Sequence, residues 1–170
     1  GSFFQVNTGA AEALATLVED YLSPTGNETL ADIYCGVGLF GLALADRVGR
    51  VIGVESDPGA VADFRHNAAG LEHVSVIEGR TEDTLSDLEE TIDLVVLDPP
   101  RGGVGQDTVR QIARLRPERM VYVSCDPATL ARDARYLSDL GYQLLEVQPI
   151  DMFPQTYHIE SVALFEPVAK

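Results

Sequence analysis

The 170-residue sequence is almost without lysine: Lys170 is the only one. Lys and Arg together number 12 against 27 acidic residues, for a net charge of −15. Contacts to phosphate need cations, so this balance argues against nucleic-acid binding by bulk electrostatics. Such a surface reads either as an adaptation to high salt or as the partner of a separate domain that carries the basic patch. Cysteine is also scarce. Cys35 and Cys125 make no disulfide framework, and reduced thiols in a cytoplasmic protein are expected. No apolar run reaches the ~18 residues of a transmembrane helix, so no membrane association is expected. Repeats, low-complexity tracts and linkers are absent too, which predicts one domain. No signal peptide is expected. Gly1-Ser2 reads as an expression scar, and the abrupt start in Phe3-Phe4-Gln5-Val6-Asn7 suggests an excised C-terminal domain. Nothing in the sequence specifies an oligomeric state.

What is present is an alternation of apolar strands and amphipathic helices. Leu14, Leu17, Val18 and Tyr21 place a stripe on a helix over 10–21, with Thr8 as its cap. Strands are predicted over 29–34, 50–54, 74–77, 92–97 and 119–123, and two more over 142–150 and 161–166. Helices are predicted over 39–48, from Pro58 to about 69, over 81–88 with Thr81 as cap, over 106–115 and over 127–140. Pro58 and Pro127 suit the first turns of their helices, and Ser56 or Asp57 can cap the former. Strand-helix-strand units build a parallel sheet with helices on both faces. The last two strands have no helix between them, which predicts an antiparallel pair.

Gly36, Gly38 and Gly41 spell G-x-G-x-x-G between the first strand and its helix, and Glu55 ends the second strand. Glycines let a ligand approach the backbone, and the acid can hydrogen-bond a ribose diol. The pattern points to an adenosine-containing cofactor but does not separate NAD from S-adenosyl-L-methionine. Three residues fall near the same crevice. Tyr34 either packs beside the cofactor or is a core aromatic. Asp98 can receive the cofactor's cationic end or place the substrate. Gln5 can reach the cleft, although its position alone reads as surface.

Cys125 follows the apolar run Met120–Val123 and precedes a helix opening at Pro127. In an open α/β sheet the carboxyl ends of the strands face the ligand crevice. A helix N-terminus lowers a thiol's pKa and favours the nucleophilic thiolate, whereas most lone cysteines at strand ends are inert and buried. The loop Asp151–Glu160 is expected to fold over the cleft, with Glu160 and His158 as acid–base candidates. Taken alone, Glu160 reads rather as a solvated strand-end carboxylate and His158 as a surface loop histidine.

Five blocks in order resemble the RNA 5-methyluridine methyltransferases. They are Phe4-Gln5-Val6-Asn7, Asp32–Gly38, Asp98-Pro99-Pro100-Arg101, Tyr122–Asp133, and Asp151–Thr156 with His158-Ile159-Glu160. The resemblance spans almost the whole chain. It implies a Rossmann-like S-adenosyl-L-methionine-dependent methyltransferase fold. That fold is a mostly parallel seven-stranded sheet with an antiparallel C-terminal strand and helices on both faces. Residues 1–170 are then one catalytic domain, lacking the family's N-terminal RNA-binding region.

The resemblance implies an enzyme that methylates carbon 5 of a uridine in tRNA or rRNA, with S-adenosyl-L-homocysteine as product. It makes Cys125 the nucleophile at carbon 6 and Glu160 the base. Gln5, Tyr34, Gly36, Glu55 and Asp98 match cofactor-contact positions. Arg101 either stabilises the developing enolate oxygen or a phosphate, or pairs with a nearby carboxylate. Asp126 stands where the family usually has Asn, and Cys35 is expected to be a small packing residue. Three other readings stay open. One is an amino-group methyltransferase using Asp98-Pro99-Pro100, although Arg101 replaces the usual aromatic. The second is a NAD-dependent oxidoreductase. The third is a cofactor-binding fragment inactive on its own.

Overall fold

The computed structural model describes residues 8–152 and 159–169. Helix α1 (Thr8–Leu22) leads into β1 (Thr29–Ile33), α2 (Leu39–Ala43), β2 (Arg50–Glu55), α3 (Pro58–Asn67), β3 (Val74–Glu78) and α4 (Thr81–Asp87). Then follow β4 (Leu94–Leu97), α5 (Gln106–Arg114), β5 (Arg119–Ser124), α6 (Pro127–Asp139), β6 (Tyr142–Asp151) and β7 (Ile159–Pro167). The strands form a single seven-stranded sheet in the order β3-β2-β1-β4-β5-β7-β6. All pairs from β3 to β5 are parallel, whereas β7 runs antiparallel to both β5 and β6. This is the expected doubly wound sheet with its reversed C-terminal strand.

Alternation along the strands feeds two separate cores. Leu30, Val51, Leu94, Val96, Val121 and Val123 pack with Leu14, Val18 and Leu22 of α1 and Phe40 of α2. Ala31, Ile33, Ile52, Val95, Leu97 and Tyr122 pack on the opposite face with Leu85 of α4, Ile112 of α5 and Leu130 and Leu137 of α6. Central strands buried on both faces read as continuous apolar runs, which is how β4 and β5 were recognisable. Each fully buried Leu, Ile or Val adds about 1.5–3 kcal/mol of transfer free energy, so the sheet centre is a rigid platform.

Four expectations are corrected. Helix α2 stops at Ala43, five residues before the predicted end. Beyond it, Ala45 N–H and Arg47 N–H bond only three residues back, to Leu42 and Leu44, so the chain tightens into turns. Thr81 is the first residue of α4 rather than its cap. Arg80 takes the cap position without a side-chain bond. Strand β4 begins at Leu94, two residues after the predicted start. Strand β7 begins at Ile159, so Glu160 belongs to a strand paired with Ile150 and not to a closing loop.

Candidate active site

The crevice lies at the carboxyl edge of the parallel strands, where β1, β2, β4 and β5 end side by side. Ile33 pairs with both Val54 and Leu97, and Leu97 pairs with Tyr122. Tyr34, Glu55, Asp98 and Cys125 therefore lie on one edge of the sheet. Gln5 and His158 lie outside the described residues.

The glycine loop is built by strain and close packing. Tyr34 adopts a left-handed backbone (φ 62), as do Gly36 (φ 54) and Gly38 (φ 102). A non-glycine residue held there costs on the order of 1 kcal/mol and marks a turn that the surroundings enforce. Cys35 is buried beneath the loop, and its Sγ lies 2.9 Å from where a Cβ on Gly53 would be. Burial pushes the Cys35 thiol far up, which fits the expected packing role. Tyr34 is half-buried and its hydroxyl is raised, first by burial, while a hydrogen bond with Thr81 opposes the rise.

Glu55 locks the loop. Its Oε1 accepts from Gly36 N–H at 3.0 Å, and its Oε2 accepts from Ser56 N–H at 2.7 Å and Asp57 N–H at 2.9 Å. A carboxylate offers about four acceptor positions, so one stays available. Asp57 in turn caps α3 by accepting from Ala60 N–H at 2.8 Å.

Asp32 is a functional candidate that the motif reading left unassigned. It is fully buried, Oδ2 accepts from Gly41 N–H at 2.9 Å, and Oδ1 has no hydrogen-bond partner among the described residues. Burial and then the nearby Glu55 raise its pKa to about 7. The signal was an acid inside the apolar run Leu30-Ala31-Asp32-Ile33. Asp98 shares this environment. Burial, then Glu160, then Asp32 lift its pKa to about 8. Four carboxylates, Asp32, Glu55, Asp98 and Glu160, thus crowd one crevice, an arrangement that favours a bound cation.

The other half of the crevice belongs to β5 and β7. Ser124 pairs with Ser161 in antiparallel register. Cys125 follows Ser124 in a bend just beyond β5, and Glu160 precedes Ser161 on β7, so both lie past the last pair of this ladder on the same side. Cys125 is exposed, while Glu160 is partly buried. Asp126 is the cap of α6: Oδ1 accepts from Ala128 N–H at 2.8 Å and Thr129 N–H at 3.3 Å. Ser124 Oγ donates to Asp126 O at 2.8 Å and accepts from Asp126 N–H at 3.0 Å, which fixes the turn that displays Cys125. Arg101 is exposed, and its guanidinium meets no carboxylate among the described residues.

This sheet order and crevice define a Rossmann-like methyltransferase fold. A general methyltransferase-domain family matches residues 30–118, and the family described as tRNA (uracil-5-)-methyltransferase matches residues 77–168. The chain belongs to the tRNA (uracil-5-)-methyltransferase family. An uncharacterized RNA methyltransferase of Streptomyces coelicolor is 47% identical over 175 residues, covering 100% of this chain and 38% of its own length. Another, from Thermosynechococcus vestitus, is 46% identical over 168 residues, covering 96% of this chain and 37% of its own. Among solved structures, the tRNA (uracil-54, C5)-methyltransferase of Pyrococcus abyssi in complex with S-adenosyl-L-homocysteine superposes with a TM-score of 0.83. It is 35% identical, over 97% of this chain and 40% of that one. The chain therefore spans about two fifths of the length of these relatives.

Proposed function

We propose that the chain is the catalytic domain of an S-adenosyl-L-methionine-dependent methyltransferase acting on carbon 5 of a uridine in tRNA or rRNA. The reaction runs through a covalent adduct between Cys125 and carbon 6, and its cofactor product is S-adenosyl-L-homocysteine. The observation that supports this reading is the end of the β5–β7 ladder: Ser124 pairs with Ser161, Cys125 follows the one and Glu160 precedes the other. The uracil and RNA assignments are supported by family membership and by what the relatives are named for.

The crevice suits the cofactor. A sulfonium and an ammonium carry positive charge, and the buried Asp32 Oδ1, near Glu55 and Asp98, has no hydrogen-bond partner among the described residues. Glu55 retains an acceptor position for a ribose hydroxyl. Open space lies on the side of Gly36 where a Cβ would stand. Tyr34, Gly36, Glu55 and Asp98 hold the cofactor, together with Gln5. When bound, S-adenosyl-L-methionine supplies an electrophilic methyl group on sulfur.

The remaining chemistry is performed by the chain. Carbon 5 of uracil is a poor nucleophile. The Cys125 thiolate adds to carbon 6, and the displaced π electrons form an enolate that makes carbon 5 nucleophilic toward the methyl group. Glu160 then takes the carbon-5 proton, the carbon–sulfur bond breaks, and the 5,6 double bond returns with the thiolate released. Asp98 holds the uracil edge in addition to the cofactor. Arg101, free of carboxylates, stabilises the enolate oxygen or a flanking phosphate. The target base must leave its stack to enter the crevice.

RNA containing 5-fluorouridine tests this, because fluorine cannot leave as a proton. The full-length protein is expected to form a cofactor-dependent adduct that survives denaturing electrophoresis and vanishes in Cys125→Ala. Methylation of uridine by Cys125→Ala would refute the covalent route. Methylation of an exocyclic amine by that variant would instead establish the amino-group reaction through Asp98-Pro99-Pro100.

A further inference from the structure

Helix α6 carries a second device behind Cys125. Thr129, Arg132 and Asp133 are spaced i, i+3 and i+4, so they share one face of the helix. That face meets the loop between β4 and α5, which carries Asp98 and Arg101. Asp133 is fully buried. Its Oδ2 accepts from Val104 N–H at 2.7 Å and from the Tyr122 hydroxyl at 2.6 Å. Its Oδ1 accepts from Gly105 N–H at 3.2 Å and from Arg132 Nε at 3.2 Å. Arg132 Nη2 donates to Gly102 O at 2.9 Å, and Thr129 Oγ1 donates to Arg101 O at 3.1 Å. Four consecutive loop residues up to Val104, and Gly105 after them, are thus approached from one side. Gly103 is pressed so close that a Cβ there would lie 2.7 Å from both Arg132 Nη2 and Asp133 Oδ2.

The burial of this carboxylate needs a reason. A buried charge is costly unless it is paired and fully hydrogen-bonded, and an apolar residue could fill the same space at less cost. Asp133 instead joins three parts of the site. Tyr122 stands three residues before Cys125 on β5, and α6 begins two residues after Cys125. The loop backbone on the other side leads to Arg101 and Asp98.

We propose that Asp133 is a positioning residue for methyl transfer. It fixes the Arg101–Gly105 stretch against the strand and helix of the nucleophile, so that Arg101 keeps a set position relative to Cys125 and Glu160. Thr129 and Arg132 complete the clamp. This rests on the reading of Cys125 as the residue that adds to uridine. The clamp touches neither reacting group. Asp98 is tied separately at the end of β4, where its N–H donates to Ile33 O at 3.3 Å, so loss of the clamp acts on the rate of the covalent step and leaves cofactor affinity alone.

The test uses the full-length enzyme with a tRNA transcript, measuring kcat, RNA KM, S-adenosyl-L-methionine Kd and Tm. In Asp133→Asn, an amide must face a donor that the carboxylate accepted. The kcat is expected to fall by roughly 100-fold, the scale of a ~1 Å misplacement, with cofactor Kd unchanged and assays run well below Tm. The rate of adduct formation with 5-fluorouridine RNA falls in parallel. Should Asp133→Asn not fold, the double variant Thr129→Val/Arg132→Gln carries the test. It keeps the Asp133 bonds to Val104 and Gly105 but releases the carbonyls of Arg101 and Gly102, and a kcat loss of about tenfold is expected. A folded variant with wild-type kcat overturns the clamp, and so does a loss confined to Tm or cofactor Kd. If the wild-type enzyme methylates no uridine, the proposed function fails and the clamp with it. Activity retained in both wild type and variants removes the clamp alone.

Discussion

Asp98 is a carboxylate that its surroundings keep protonated well above its ordinary range. Burial raises it most, followed by Glu160 and Asp32, from 3.8 to about 8. A raised carboxylate binds its proton more tightly in the folded state than in the unfolded chain, so it lowers stability as pH rises. The loss begins near the unfolded value of about 4 and is complete near 8, and Asp32 adds to it up to about 7. The Tm of the cofactor-free protein is therefore expected to drop between about pH 6 and pH 8, with a shallower slope in Asp98→Asn. A Tm that climbs through this window in the wild type would contradict the shifted values. A cationic cofactor reverses the preference of Asp98, so binding should release protons below about pH 8 and tighten as pH rises. Calorimetry in buffers of different ionisation enthalpy reads that release directly.

Asp126 shows what the fold adds to a residue read from sequence. Beside a proposed nucleophile, an acid in place of Asn looks like a chemical departure. The structure gives it the task of capping α6, with bonds to Ala128 N–H and Thr129 N–H. Asn and Asp cap about equally well, whereas Ala loses roughly 1 kcal/mol. Asp126→Ala should thus lower stability by about that amount in denaturant unfolding, while Asp126→Asn changes it little. The sequence also left Asp133 as one letter within a family block, because its value arises only when β5, α6 and the loop after β4 meet. Asp32 was more legible, as a charge inside an apolar strand.

At the scale of elements, the strands of the sheet centre could be read closely because burial on both faces writes an uninterrupted apolar run. Helix ends were less legible, since α2 gives way to three-residue turns without a breaker until Gly49. The glycine loop carries two kinds of glycine that the motif does not distinguish. A Cβ on Gly38 would lie 2.6 Å from Leu42 Cδ1 and 2.9 Å from Phe64 Cδ2, at φ 102. A Cβ on Gly36 would meet nothing within 4 Å, at φ 54. Gly38→Ala combines overlap with backbone strain and should destabilise by about 2–4 kcal/mol, whereas Gly36→Ala pays only the left-handed conformation, about 1 kcal/mol. Gly36→Ala places its methyl in the space proposed for the cofactor, so its expected signature is weakened S-adenosyl-L-methionine binding in a folded protein. Equal stability losses for the two variants in urea melts would refute this division.

For the molecule as a whole, the net charge of −15 is the property least explained by the site. Apart from Arg132 with the buried Asp133, the ion pairs among the described residues lie at or near the surface, such as Arg47–Glu19 and Arg110–Asp107, and exposed pairs contribute only about 0–1 kcal/mol each. Most acidic groups consequently repel one another, and the compact state pays for that repulsion. Salt shortens the reach of exposed charges to about 8 Å at physiological ionic strength and about 3 Å at 1 M, which relieves the folded state more than the expanded chain. The same surface repels RNA: in the two fifths of its relatives' length that it spans, the chain carries 27 acidic residues against 12 basic ones. These two consequences separate cleanly. If the acidity is an adaptation to high salt, Tm should rise steadily from 0.1 M to molar KCl, and RNA methylation by the full-length enzyme should persist there. If the acidity instead complements a basic RNA-binding region in the rest of the protein, that activity should fall steeply with salt. In that case 170 residues alone would bind S-adenosyl-L-methionine yet capture RNA poorly. A Tm independent of KCl would remove the high-salt reading, because unscreened repulsion of this size cannot be insensitive to ions.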